Sequence, residues 1–81
     1  MSILKVSIRQ IKAARALLGW SQEKLAAMAG VSVPTVKRLE AADGVLGGRE
    51  ETGMKLRGAL ERAGIEFTNG TRPGVRLRKG R

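Results

Sequence analysis

The sequence predicts a mainly α fold closed by a short C-terminal β-hairpin. Three observations carry that expectation. Apolar residues recur at helical spacing in four runs, and three of the runs follow a serine suited to capping a helix: Ser7, Ser21 and Ser32. Glycines stand just past several of these runs, at Gly19, Gly30 and Gly64, where a helix can stop cheaply. The tail then changes period, because "IEFT" and "VRLRK" alternate apolar and polar around the turn-forming "NGTRPG".

The first helix is expected over 8–18. Ser7 and Gln10 have the S-x-x-Q spacing of a capping box, with Val6 and Ile11 placed as a hydrophobic staple. Ile11, Ala14 and Leu18 form its apolar stripe with Leu17 at the edge, and Arg9, Lys12 and Arg15 are read as lying largely off it. Ser21 caps a second helix over 22–29, with Trp20 and Leu25 at staple positions and Leu25, Ala26 and Ala29 facing inward. Ser32 caps a third helix over 33–42, whose first turn holds Pro34, where no intrahelical N–H is needed. Asp43-Gly44 is expected to end it, and "GVLGG" reads as a loop. A fourth helix over 50–63 takes apolar contacts from Met54, Leu56, Leu60 and Ala63, weakened by Gly53 and Gly58. Strands are expected over 65–68 and 74–78. The domain plan is an arm or short strand over 1–6, a helical unit over 7–64, and a hairpin with a basic tail over 65–81.

At 81 residues the chain is read as one domain. A domain of this size buries only about 60–65% of its unfolded surface, so the core must come from helix packing or be shared with a second subunit. There is no cysteine to form a disulfide and no histidine, and the seven acids are scattered, so no metal site or cofactor is expected. Nothing approaches the ~18 apolar residues that span a bilayer. "MSILKVSI" is too short and interrupted for a signal peptide, so a cytoplasmic, nucleoid-associated protein is expected, with no membrane partner.

Sixteen Lys and Arg residues against seven acids give a net charge of +9. Such an excess points to a polyanionic partner, usually nucleic acid. A merely soluble basic protein is the plainer alternative. Two short helices joined through a glycine-containing turn suggest a helix-turn-helix, in which the second helix enters the major groove of DNA. The wheel of the third helix agrees. Val36 and Leu39 point one way, while Pro34, Lys37, Arg38 and Ala41 point the other, with Glu40 near the boundary.

The stretch "SQEKLAAMAGVSVPTVKRLEAADG" strongly resembles the helix-turn-helix of the phage repressor and Cro family, the XRE family. The matching residues are Gln22, Leu25-Ala26, Ala29-Gly30-Val31, Ser32, Val36 and Leu39-Glu40, and the likeness extends over roughly 7–63. The tail "GIEFTNGTRPGVRLRKG" looks like that of small bacterial members. The resemblance implies a lambda-repressor-like DNA-binding domain of four to five helices. It gives Gln22 a role on a DNA phosphate and as a brace for a side chain of the third helix, against plain solvation of a helix end. Ser32, Val33, Pro34 and Thr35 match the cap and first-turn positions that often face bases. Glutamines found there in other members are replaced here by Val33 and Pro34, which offer only apolar contacts such as a thymine methyl. Thr35 either bonds the nucleic acid or serves the local cap. Arg38 matches a position that often reads a base edge, and Lys37 is expected on phosphate.

Arg9, Lys12 and Arg15 either touch the DNA backbone or form a solvated face. Trp20 is read as a ring buried beside the second helix, and Met28 and Met54 as core rather than a ligand pocket. For the tail, with Arg72, Arg76, Arg78, Lys79 and Arg81, three readings compete: a phosphate-gripping arm, a solvated end, or a hairpin that pairs two subunits, with or without "ILKV". The last is favoured, since one subunit on one half-site would bind weakly. Enzyme chemistry has almost no footing without histidine, cysteine or a phosphate-binding glycine loop. The expected function is therefore a homodimeric regulator of transcription acting on an inverted-repeat DNA operator. The alternatives are an antitoxin that represses its own promoter and folds its tail on a toxin, and a protein-interaction adaptor that keeps the fold.

Overall fold

Each of the first three helices begins where a serine oxygen replaces a missing intrahelical partner. In the computed structural model, which describes residues 6–42, 50–68 and 73–78, these are α1 (Ile8–Leu18), α2 (Gln22–Ala29) and α3 (Val33–Ala41). Ser7, Ser21 and Ser32 accept from the backbone N–H of Gln10, Lys24 and Thr35 at 3.1, 3.0 and 3.2 Å. The box at α1 is reciprocal, because the Ser7 N–H donates to Gln10 Oε1 at 2.9 Å. Gly19 and Gly30 then turn the chain with φ of 69° and 74°, a region that costs glycine little and other residues more. These two joints set α1, α2 and α3 against one another.

α4 (Glu50–Arg62) follows, and then an antiparallel hairpin of β1 (Ile65–Thr68) and β2 (Gly74–Leu77). The pairs run Ile65 with Leu77, Glu66 with Arg76, Phe67 with Val75 and Thr68 with Gly74. Arg78 N–H donates to the Gly64 carbonyl at 2.8 Å and closes the base of the hairpin.

One apolar cluster joins all of these elements. Val6, Ile11 and Ala14 meet Leu25, Ala26 and Ala29, then Val36, Leu56, Ala59 and Leu60, then Ile65 and Phe67. Burying a side chain of Leu, Ile or Phe size contributes about 1.5–3 kcal/mol, so β1 is anchored by the same force as the helices. Trp20 packs half-buried against this cluster. The hairpin is held by a second link. Gln10 is 5% exposed, and its Nε2 donates to the carbonyls of Thr68 and Gly74 at 2.8 and 2.9 Å. With Oε1 taken by Ser7, the buried amide is fully satisfied, as burial requires.

Four expectations are corrected. Met54 is 66% exposed and Met28 48% exposed, so neither belongs to the core. At about 100° per residue, Met54 lies about 200° from Leu56, and the buried face of α4 is Gly53, Leu56, Ala59 and Leu60. Helix α3 ends at Ala41, because Ala42 is already extended (ψ 173°), and α4 ends at Arg62. β2 ends at Leu77 and not at residue 78, and Leu77 is 43% exposed. The expected stop at Asp43-Gly44, the loop "GVLGG", most of the arm over 1–6, and Arg72, Lys79 and Arg81 lie outside the described residues.

Candidate nucleic-acid interface

Helix α3 packs by one face and leaves the other bare. Val36 is 1% exposed and Glu40 6% exposed, while Val33 and Leu39 are partly buried against the core. On the opposite side Pro34, Lys37, Arg38 and Ala41 are exposed. The wheel read from the sequence therefore holds for these four residues. Neither Lys37 nor Arg38 makes a side-chain hydrogen bond or ion pair with any described residue. Four of the described acids are engaged elsewhere: Glu40 with Arg15, Glu51 with Lys55, Glu61 with Arg57 and Glu66 with Arg76. Among the described residues, the two cations on the bare face of α3 thus have no paired acid.

The first turn of α3 is more occupied. Ser32 Oγ accepts the Thr35 N–H and lies 2.7 Å from Thr35 Oγ1, so the two hydroxyls bond each other. Val33 turns half inward. Pro34 is the first-turn residue that presents an uncommitted apolar surface.

Behind α3 lies a polar network that spans three helices. Arg15 of α1 clamps Glu40 of α3 with two bonds of 2.8 Å, Nε to Oε2 and Nη2 to Oε1. Arg15 Nη1 donates to the Trp20 carbonyl at 2.9 Å, in the turn between α1 and α2. Gln22, the first residue of α2, donates from Nε2 to Glu40 Oε1 at 2.9 Å. This corrects the placement of Arg15 off the apolar stripe and of Glu40 at the boundary. Arg15 stands four residues after Ile11 and Glu40 four after Val36, so both share a face with a core residue. That spacing is the sequence signal for a buried pair. Arg9 and Lys12 are exposed on α1, and Lys24 of α2 lies 5.9 Å from the centre of the Trp20 ring.

Residues 11–46 match the helix-turn-helix family model. This segment is an XRE-family helix-turn-helix. Such domains bind DNA in the regulation of transcription. No curated protein matches the chain. The matched segment takes in most of α1, all of α2 and α3, and the residues after them, and α4 and the hairpin lie outside it. Among the described residues, no helix is long and apolar enough to cross a membrane and no three potential metal ligands come together.

Proposed function

We propose that the chain is a homodimeric regulator of transcription that places two copies of α3 in successive major grooves of an inverted repeat. The observation that carries this reading is the bare, unpaired Lys37/Arg38 flank of α3, free of acids and of bulky apolar groups. Lys37 sits on a phosphate. Arg38 reads a guanine edge, a bidentate contact that discriminates by about 1–3 kcal/mol. Pro34, with the edge of Val33, meets a thymine methyl. Ser32 and Thr35 give up one hydroxyl proton to each other, and the second is left for a phosphate or base. Gln22 reaches a phosphate from the start of α2. With so few base-reading groups, specificity depends heavily on Arg38, on DNA shape and on the spacing of half-sites.

Dimerisation is assigned to the hairpin, where Leu77 is 43% exposed at the end of β2 and Arg76 and Arg78 point to solvent. The antitoxin alternative depends on a free tail, whereas β1 is anchored in the helical core and β2 is tied to α1 through Gln10. Selection of bound sequences from random duplex DNA tests the function. The expected product is a palindrome whose half-sites are about one helical turn apart, ~34–36 Å. Recovery of no preferred sequence would reject operator binding, and recovery of a single unrepeated half-site would reject the dimer.

A further inference from the structure

We propose that Glu40, on the face of α3 turned away from solvent, is a positioning residue for the phosphate contact of Gln22. The proposal rests on the reading that the α2–α3 face meets DNA. A carboxylate offers only acceptors. Glu40 therefore draws the nitrogen of the Gln22 amide, not its oxygen, toward the end of α3. Arg15 holds both carboxylate oxygens with one edge of its guanidinium, and Glu40 is 6% exposed, so its orientation is set by the fold. The amide nitrogen of Gln22 carries two protons and uses one on Glu40. The other has no partner among the described residues, and Gln22 is only half-buried. A DNA phosphate supplies the missing acceptor, and the same nitrogen then bridges two anionic oxygens and screens each from the other. Glu40 touches no nucleic acid in this scheme. It acts through Gln22, by removing in advance the rotamer freedom that a surface glutamine would lose on binding.

Phosphate contacts are independent of sequence, so a mixed-sequence duplex of about 20 base pairs, two helical turns, is a sufficient probe. Gln22→Ala and Glu40→Gln are each expected to weaken binding about three- to tenfold, the scale of one hydrogen bond. The double variant should bind no worse than Gln22→Ala alone, because Gln22→Ala already removes the interaction whose charged acceptor Glu40→Gln weakens. Losses that multiply, or a Glu40→Gln protein that binds like the parent, would overturn the proposal. A purely structural Glu40 would lower the melting temperature and leave the Gln22→Ala loss intact in the Glu40→Gln background. Should Glu40→Gln fail to fold, the parent protein decides by NMR. Before DNA is added, one Gln22 side-chain amide proton should already be displaced from the position of a solvated glutamine by its bond to Glu40, and its twin should move on titration while it holds. A pair that sits at solvated positions, or that ignores the duplex, sinks the idea. Absence of any duplex binding by the parent protein overturns both this proposal and the function it rests on.

Discussion

Arg38 and Lys37 are neighbours on the bare flank of α3, yet their chemistry separates their tasks. A planar guanidinium can take two acceptors on one guanine, whereas an ammonium acts as a point charge. Arg38→Ala should therefore shrink the ratio of specific to nonspecific affinity by roughly 5- to 150-fold while nonspecific affinity falls less, as measured by competition between selected and random duplexes. An unchanged ratio would remove Arg38 from base reading. Glu40 makes a different demand. Glu40→Ala leaves the largely buried Arg15 guanidinium without its carboxylate, and the expected loss is about 3 kcal/mol in urea unfolding. The exposed Glu66–Arg76 pair is worth far less, under about 1 kcal/mol. Both ends of the Arg15–Glu40 pair are legible as charged residues four positions from a core residue. Their meeting is not, since it depends on how α1 crosses α3.

The helices owe their starts and stops to chemistry that lies within three or four residues, which is why the sequence reads so directly there. Ser7, Ser21 and Ser32 each cap a neighbour three positions on, and Gly19 and Gly30 each accept a left-handed turn that few other residues tolerate. The inward face of α4 is misread when its apolar residues are gathered without asking where each points. Met54→Lys should thus change stability by no more than about 0.5 kcal/mol, while Leu56→Ala, at 1% exposure, should cost about 2–5 kcal/mol in the same denaturation experiment. The attachment of the hairpin is beyond sequence reasoning for another reason. Gln10 lies 58 and 64 residues from its acceptors Thr68 and Gly74, and no local pattern links them. Gln10→Ala should strip protection from the hairpin amides that bond across the strands, Thr68 and Arg76 among them, in hydrogen exchange while those of α2 and α3 hold. Uniform loss of protection would instead mark Gln10 as a general core residue.

Across the whole molecule, an excess of nine positive charges is distributed unevenly in its effect. Arg15, Lys55, Arg57 and Arg76 are matched by acids, whereas Lys37 and Arg38 are not. Net charge announces an anionic partner, and α3 offers it two unmatched cations side by side on one bare flank. The α2–α3 segment and its bare face are legible because a helical wheel depends only on order along the chain. The proposed pairing of two subunits is not, because it depends on a surface that a single chain does not specify. Binding to duplex DNA as a function of salt, for the parent protein and for the Lys37→Ala/Arg38→Ala double variant, tests the assignment most directly. The variant should bind more weakly, with a salt slope reduced by about 0.9 for each phosphate that is no longer neutralised. Equal affinity and an equal slope, with the fold intact by circular dichroism, would place the DNA on some other face and contradict that assignment.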